Sequence, residues 1–154
     1  MHGKFDSRHP LVGLSDELIR LNGRMKSLFA GARRPEGLGD SEQSVLNAVV
    51  EADHPPTVPQ IGRSYGQPRQ IVQRAANSLI DMGLIEAVPN PDHKRAVLLR
   101  ATEQGIAVKR EVDARADALA ASLWPQEQAD SAREATKALR AVRKQLEAQL
   151  RGLD

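Results

Sequence analysis

Residues 59–100 decide the fold of this chain, and they read PQIGRSYGQPRQIVQRAANSLIDMGLIEAVPNPDHKRAVLLR. The beginning of this stretch predicts a short helix over Val58–Tyr65, because Thr57 and Gln60 have the spacing of a capping box. Gly66 ends this helix, since glycine interrupts helical structure and favours a turn. A helix that stops at a sharp turn therefore opens the unit around which the chain is organised.

A second helix follows this turn. It begins at Pro68, a residue favoured at helix starts. Apolar side chains recur at helical spacing and predict a buried stripe, and Gly83 then ends the helix as a C-cap. The stripe consists of Ile71, Val72, Ala75, Ala76, Leu79 and Met82.

Two short β-prone runs, Leu84–Val88 and Ala96–Arg100, come directly after the second helix. The segment between them contains Pro89 and Pro91, which forbid regular strand pairing, and it ends in a basic tip. Two helices joined by a turn and followed by a β-hairpin form a winged helix-turn-helix, in which the hairpin is the wing. A charged wing beside a helix with a polar outer face indicates contact with DNA.

The chain before this unit predicts two further helices. Apolar side chains at three- and four-residue steps over residues 11–28 describe an amphipathic helix that ends near Phe29. Residues 30–39 contain three glycines and a proline, so they read as a loop. Asp40, with Gln43 at the capping-box position, is predicted to cap the next helix.

Two long helices are predicted after the wing. Thr102 is the N-cap candidate of the first, and Pro125 separates it from the second. Apolar residues in the last helix repeat at about 3.5 residues, a seam of the kind that packs against other helices. The seam consists of Leu139, Val142, Leu146, Leu150 and Leu153. One small domain cannot cover the first helix and the last two, so we expect a homodimer.

These elements define the expected architecture, which is mainly α with a small β-wing in one compact domain. Residues 1–35 form an N-terminal dimerisation helix, residues 36–101 the winged helix-turn-helix that binds DNA, and residues 102–154 the C-terminal dimerisation helices. Only 3% of the residues are aromatic, so the core must be aliphatic and rich in alanine, which favours closely packed helices.

The composition excludes several classes of function. Cysteine is absent, which excludes disulfides, thiol nucleophiles and thiolate metal ligands. The formal net charge of +2 is too small to indicate a polyanionic partner by itself. No apolar run approaches the length of a membrane span and the first residues lack the apolar centre of a secretion signal, so we expect a cytoplasmic protein.

With these elements placed, the chain resembles the MarR family of dimeric winged-helix transcriptional regulators over most of its length. Four blocks at family spacing carry the resemblance: GQPRQIVQR at 66–74, LIDMGLIE at 79–86, NPDHKRA at 90–96 and ATEQG at 101–105. The resemblance implies that the first and last helices interlock two subunits. It also implies that the second helix of the motif enters the major groove and that the wing arginine reaches the adjacent minor groove.

Two positions depart from the family pattern. Family members usually carry a small hydroxyl residue where Ile71 stands, and this isoleucine either contacts a thymine methyl group or turns inward and packs. Many members carry an acid where His93 stands. Asp92 lies one position earlier, so the acid that usually braces the wing arginine is displaced or absent.

The candidate DNA-binding residues lie on the second helix and at the tip of the wing. Helical arginine can pair with guanine and glutamine with adenine, while either can bind only phosphate. At the wing we expect Arg95 in the minor groove and Lys94 on phosphate, whereas His93 either adds charge at lower pH or is merely solvated. The alternative for the whole set is that these residues form a solvated polar surface and do not contact DNA. The set is Gln67, Arg69, Gln70, Ile71, Gln73, Arg74, His93, Lys94 and Arg95.

Other kinds of site have less support. Met25 and Phe29 are ligand-binding candidates that can equally be packing residues, as can Trp124. The histidines have no metal-ligand spacing, and no recognisable motif assembles a phosphate loop or a catalytic cluster. We therefore expect no enzyme, no metal and no cofactor. If DNA binding is regulated, the missing cysteine and the family resemblance favour a small aromatic or apolar anion as the effector.

Taken together, the residues predict a sequence-specific dimeric regulator that binds a pseudo-palindromic operator in double-stranded DNA. The resemblance alone implies that it represses. The rival is a winged-helix module that contacts another protein and has no DNA target. Such a module usually loses its basic reading face, so the retention of Arg69, Arg74 and Arg95 speaks against this rival.

Overall fold

The computed structural model describes residues 8–152, which form helices and one two-stranded antiparallel sheet. The fold is mainly α with a small β-wing, as predicted. The elements in chain order are α1 Pro10–Arg33, α2 Asp40–Glu51, α3 Val58–Tyr65, α4 Arg69–Asp81, β1 Ile85–Val88, β2 Leu98–Ala101, α5 Glu103–Leu123 and α6 Ala129–Leu150. Short 3-10 turns lie at Arg34–Glu36 and Gln126–Gln128.

The helix-turn-helix forms as the local signals predict. Both halves of the α3 capping box are present, since Thr57 Oγ1 accepts from the Gln60 N–H and Gln60 Oε1 accepts from the Thr57 N–H at 2.9 Å. Gly66 and Gly83 follow α3 and α4 with φ of 62° and 72°, a left-handed conformation that favours glycine. The N–H of Leu84 reaches back to the Leu79 carbonyl, which completes a Schellman motif at the end of α4.

The core lies where α2, α3, α4 and the sheet pack together. Its largest fully buried side chains are Val45, Leu46, Ile61, Val72, Leu79, Leu84, Ile85 and Leu99. Of the predicted α4 stripe, Val72, Ala75, Ala76 and Leu79 are buried. This aliphatic core holds α4 with one face inward and leaves its other face in solvent.

The first turn of α5 is attached directly to this core. Thr102 is its N-cap, as predicted, because the hydroxyl accepts from the Gly105 N–H at 3.0 Å and donates to the Gly83 carbonyl at 2.7 Å. A Cβ atom at Gly105 would lie only 1.9 Å from the Leu84 carbonyl oxygen. Glycine is therefore required at this position so that α5 can approach the chain just before the wing.

The wing has the predicted topology, but both strands begin later than the sequence suggested. Ile85 pairs with Ala101 and Val88 with Leu98. Leu84 lies outside β1 because its N–H is used in the α4 cap. Ala96 lies outside β2 because its N–H donates to the His93 carbonyl at 3.3 Å and belongs to the turn at the wing tip.

Two predictions about the N-terminal half are wrong. α1 continues to Arg33 instead of ending near Phe29, so the predicted loop is largely helical. Asp40 is the first residue of α2, and Gly39 occupies the N-cap position. The Asp40 carboxylate forms an ion pair with Arg33 and makes no capping hydrogen bond.

The contacts of the chain divide into two compact units, one up to Ala116 and one from Asp117 onward. In the second unit the Trp124 indole donates to the Gln128 carbonyl at 3.0 Å and stabilises the turn between α5 and α6. The three regions proposed from the sequence stay a prediction. Among the helices of residues 8–152, none is both long and apolar enough to cross a bilayer.

The apolar faces of α1 and α6 remain largely uncovered in the single chain. Ala32 is the buried residue of α1, and α6 has none in the part of the chain that the structure describes. Of the predicted seam, Leu139 and Val142 are half-buried and Leu146 and Leu150 are exposed, while Leu153 lies outside the described residues. On α1 the exposed apolar side chains are Leu11, Val12, Leu18, Ile19, Leu21 and Met25.

Candidate DNA-binding surface

The outer face of α4 carries most of the residues that the sequence singled out. Helical periodicity turns Val72 and Ala75 into the core, so the polar residues between and around them point to solvent. All of the predicted helical contacts except Gln67 are exposed. The exposed set is Arg69, Gln70, Ile71, Gln73 and Arg74.

The sequence left two alternatives open for Ile71, contact with DNA or packing in the core, and the exposure of its side chain excludes the second. Ile71 is 43% exposed, so its side chain does not turn inward and pack against the core. Its assignment to the buried stripe was therefore wrong, whereas its place among the surface residues of α4 agrees with the structure. The stripe includes only residues on the inner side of the helix, and Ile71 lies beyond its edge.

Gln67 and Gln73 differ from the arginines because part of each side chain is already engaged or shielded. Gln73 donates from Nε2 to Asn77 Oδ1 at 3.0 Å, one helical turn away. Gln67 is half-buried in the turn before α4, and its Oε1 has no hydrogen-bond partner within residues 8–152. Arg69, Gln70 and Arg74 are thus the more accessible polar groups of this face.

The wing tip presents the other three predicted residues, His93, Lys94 and Arg95, and all are exposed. Asn90 shapes the turn, since its Oδ1 accepts from the Asp92 N–H at 3.0 Å. No ion pair between Asp92 and Arg95 occurs in the described structure. The brace expected in similar proteins is therefore absent here, and the guanidinium remains open to an external partner.

The cations of α4 and the wing tip share one electrostatic property. Over residues 8–152, no carboxylate oxygen lies within 4.0 Å of the charged groups of Arg69, Arg74, Lys94 or Arg95. We refer to these four cations together with Gln70 and Ile71 as the basic surface. Because its charges are not neutralised internally, it is suited to bind an anion such as a phosphate backbone.

Arg100, at the base of the wing, behaves differently. Its Nε and Nη2 donate to Glu86 Oε1 at 2.8 and 2.6 Å across the two strands. Cross-strand pairing of this kind supports the hairpin. Arg100 is therefore excluded from the basic surface although it follows the wing tip closely in sequence.

Sequence reasoning missed a buried cation behind this surface. The side chain of Lys109 in α5 is only 9% exposed, and its Nζ lies 2.7 Å from Asp113 Oδ2 and 3.2 Å from Glu51 Oε1. Burial by itself lowers the pKa of a lysine, but the hydrogen bonds to both carboxylates outweigh this effect and raise the pKa of Lys109. The spacing of Lys109 and Asp113 was the one local signal, because residues four apart adjoin on a helix.

Glu51 connects this buried cation to the helix-turn-helix. It is the last residue of α2, and its charge also acts on Tyr65 at the end of α3. Burial, and then the Glu51 carboxylate, raise the pKa of the Tyr65 phenol, while the Lys109 ammonium acts in the opposite direction. One carboxylate thus interacts with both α5 and α3.

Met25 and Phe29, the ligand-binding candidates, line a common cavity of about 290 Å³. The lining also includes Lys26, Arg33, Gln43 and Asn47. Gln43 donates from Nε2 to Asn47 Oδ1 at 2.7 Å, and its buried Oε1 has no partner in the described part of the chain. The lining also includes Asp113, and both cations are paired with Asp40, so the cavity combines apolar walls, charges of both signs and one unused hydrogen-bond acceptor.

The residues from 8 to 152 contain no group of three or more histidine, aspartate or glutamate side chains placed to hold a metal ion. His9, His54 and His93 lie apart from one another in sequence and are exposed, and His2 is outside the described residues.

Comparison with known proteins identifies the class to which this architecture belongs. A model of the MarR family matches residues 36–96, which span the helix-turn-helix and most of the wing. The uncharacterized protein Rv2011c of Mycobacterium tuberculosis is 38% identical over 110 residues, covering 67% of this chain and 76% of that protein. The fold and these similarities define a winged-helix protein. The chain belongs to the MarR family.

Solved structures share the fold at lower sequence identity. CouR of Rhodococcus jostii RHA1, determined bound to p-coumaroyl-CoA, is 20% identical with a TM-score of 0.71, over 92% of this chain and 95% of CouR. A MarR-family transcriptional regulator of Rhodococcus sp. RHA1 is 21% identical with a TM-score of 0.70, over 86% of this chain and 96% of that protein. These identities establish a common fold.

Proposed function

We propose that this protein is a sequence-specific DNA-binding transcriptional regulator that acts in the cytoplasm as a dimer, most simply as a repressor. The observation that carries the proposal is the basic surface, on which Arg69, Arg74 and Arg95 have no carboxylate partner in the described structure. Unpaired arginines on a helix-turn-helix and its wing have the charge and the shape that bind DNA phosphates and base edges.

The same observation favours DNA over a protein partner. A winged-helix module that binds only another protein has no need to keep cations without counter-charges on α4 and on the wing. Elsewhere in this chain, cations such as Arg33 and Arg115 are paired with Asp40 and Glu36. Other exposed cations, such as Arg63 and Arg140, also have no carboxylate partner in the described structure, so the support for a polyanion comes from the position of these four cations on the outer face of α4 and at the wing tip.

Dimerisation is supported by the apolar faces that the single chain leaves open. Ile19 on α1 is 70% exposed and Leu150 on α6 is 59% exposed, values that are unfavourable for large aliphatic side chains in water. A second copy supplies a matching apolar surface by symmetry. Two copies would then present two basic surfaces to a pseudo-palindromic operator, with half-sites about one helical turn apart.

The proposal is tested by genome-wide recovery of bound DNA, followed by titration of the recovered site against a random duplex. We expect tighter binding to the recovered site and a marked loss of affinity in Arg74→Ala. Arg133→Ala on α6 is the matched control, because it removes the same charge from an exposed side chain outside the basic surface. Equal binding to both duplexes, or equal losses in both variants, would refute sequence-specific recognition by this surface.

The dimer is tested with matched charge substitutions on α6. Leu146→Glu with Leu150→Glu places two acids on the apolar seam, whereas Gln145→Glu with Gln149→Glu adds the same charge to exposed positions beside it. Sedimentation should show monomers for the first variant and dimers for the second. A dimer that persists in the first variant would contradict the role of the α6 seam.

We further propose that a small aromatic or apolar anion regulates DNA binding from the cavity lined by Met25 and Phe29. Lys26, whose Nζ lies 3.7 Å from Asp40 Oδ2, is the cation that would exchange this partner for the ligand's carboxylate, and Gln43 Oε1 offers an acceptor for a hydroxyl group on the ligand. The aromatic acyl ligand of CouR supports aromatic acids as the first class to test. Such a ligand must bind the DNA-free form more tightly, and a tenfold loss of DNA affinity needs only about 1.4 kcal/mol of difference.

The ligand is tested by titrating a panel of aromatic carboxylates into the protein–operator complex, with dilute peroxide as a control that should have no effect in a cysteine-free chain. Lys26→Gln should weaken the response, while Arg24→Gln, on the same helix but outside the cavity lining, should not. A panel that changes neither DNA affinity nor melting temperature would contradict this regulation. Release by low doses of peroxide would contradict the expectation about oxidation.

A further inference from the structure

One residue of the basic surface has a chemistry unlike its neighbours. Ile71 is the third residue of α4 and is 43% exposed, while the other exposed residues of the first turns, from Arg69 to Arg74, are all polar. An exposed isoleucine on a helix is common by itself. Its position at the start of a helix proposed to read DNA makes its chemistry relevant, because the N-terminal residues of such helices contact base edges.

Isoleucine cannot read a base by hydrogen bonding, since its side chain has neither a donor nor an acceptor. The apolar group that B-DNA presents at the edge of the major groove is the C5 methyl of thymine. Contact between the two removes apolar surface of both partners from water, which is favourable. Cytosine presents only a C5–H at this position, and contact with the polar atoms of the purine edges would cover them without replacing their hydrogen bonds, which is unfavourable.

The side chain is also suited to hold such a contact. A β-branched residue in a helix keeps essentially one χ1 rotamer, so Ile71 loses little conformational freedom on binding. The Ile71 N–H is engaged by the Pro68 carbonyl at 3.0 Å, which ties this part of the backbone to the turn before α4. Arg74 lies one turn further along, at a spacing that places it beside Ile71 on the helix surface.

We propose that Ile71 contacts the C5 methyl group of one thymine in each half-site, so that the protein recognises this position of its operator by a methyl group and not by hydrogen bonding. The inference rests on the proposed DNA-binding function and adds the chemical identity of one recognised base. Arg74, as its neighbour on the helix, would contact phosphate or an adjoining base pair.

The inference is tested by removing the methyl group from the DNA without changing base pairing. Each thymine of the recovered operator is replaced in turn by deoxyuridine, and the affinity of the full-length protein is measured. We expect one thymine per half-site at which this replacement weakens binding about fourfold, the effect of roughly one buried methyl group. Replacement at other thymines should have little effect.

Variants of the protein assign the methyl contact to Ile71. In Ile71→Ala the replacement of that thymine by deoxyuridine should no longer reduce affinity, because the partner of the methyl group has been removed. Asn77→Ala is the matched control, since it shortens another exposed side chain of α4 outside the candidate DNA-binding set and should retain the sensitivity. Ile71 is outside the core, so the melting temperature of Ile71→Ala should stay close to that of the original protein.

The possible outcomes separate this inference from the proposed function. Specific binding that is insensitive to every deoxyuridine replacement overturns the inference and leaves the function intact. Sensitivity that persists unchanged in Ile71→Ala also overturns it, because the methyl group is then read by another residue. If no DNA sequence is preferred over random duplex, both the proposed function and the inference fail.

Discussion

Two groups of cations in this protein have opposite surroundings. Arg74 and Arg95 on the basic surface are exposed and have no carboxylate partner among the described residues, whereas Lys109 is buried and has two, Asp113 and Glu51. A buried charge without a partner is strongly unfavourable, so Lys109 needs its carboxylates for the fold. Exposed arginines are well solvated and need none, which leaves them available to a partner that binds from outside.

Other cations support this division. Arg115 in α5 donates to Glu36 at 2.8 Å and to the Ala32 carbonyl at 3.3 Å, which joins α5 to the end of α1. Arg115 therefore stabilises contacts within the fold, as Lys109 does. The difference between the groups gives a rule for substitutions: changes among paired cations should alter stability, and changes among the cations of the basic surface should alter affinity for DNA.

The largest expected effect is a loss of stability when the buried Lys109 ammonium loses both of its carboxylate partners. Replacing both partners, as Glu51→Gln with Asp113→Asn, leaves the Lys109 ammonium buried without a carboxylate and should lower the free energy of unfolding by about 3 kcal/mol. Urea denaturation of the full-length protein measures this loss. Lys109→Met should cost less, because it removes the buried charge and returns two exposed carboxylates to water.

The order of these two losses is the informative result. If Lys109→Met destabilised the protein as much as the double substitution, leaving the ammonium without partners would carry no penalty of its own, and the ion pairs themselves would account for the loss. If neither variant changed the unfolding midpoint, the ion pairs of Lys109 would make no measurable contribution to stability.

A smaller effect, on binding and not on stability, is expected at the wing tip. Arg95→Ala should reduce operator affinity by about 2 kcal/mol, the range found for specific contacts to DNA, and leave the unfolding curve unchanged. Titration with fluorescent operator at several salt concentrations measures the loss and shows how many phosphate contacts disappear. Unchanged affinity with an intact fold would remove Arg95 from the basic surface.

The smallest effect is expected at the base of the same wing. Arg100→Ala breaks the exposed pair with Glu86 and should cost only ~0.5 kcal/mol of stability, with operator affinity nearly unchanged. Comparison with Arg95→Ala is the sharpest test of the rule, because the two arginines lie close in sequence and differ in whether a carboxylate engages them. Equal losses of operator affinity in Arg95→Ala and Arg100→Ala would contradict the rule.

Much of the fold was readable from local sequence because its signals act over a few residues. The capping box of Thr57 and Gln60, the left-handed glycines Gly66 and Gly83 and the N-cap Thr102 are all local, and each was predicted. The exposed residues of α4 and the wing tip followed from helical periodicity and turn chemistry in the same way. Their contacts with DNA stay a prediction.

Features that depend on contacts between different elements were missed. Asp40 looked like a helix cap because its local context favours one, but it is the first residue of α2 and its carboxylate pairs with Arg33 at the end of α1. Periodicity alone placed Ile71 in the apolar stripe, since a repeat of apolar residues does not show how far the core extends around a helix.

The sequence by itself therefore determined the order of the elements, the caps and turns of the helix-turn-helix and of α5, and the family, because these depend on short-range chemistry and on motifs at set spacing. Only the tertiary structure decided which charges are neutralised. Lys109 gives no sign in the sequence that Glu51 lies 3.2 Å from its Nζ. That pairing arises when α5 packs against the end of α2, and the free energy of a charge is set by its surroundings after packing.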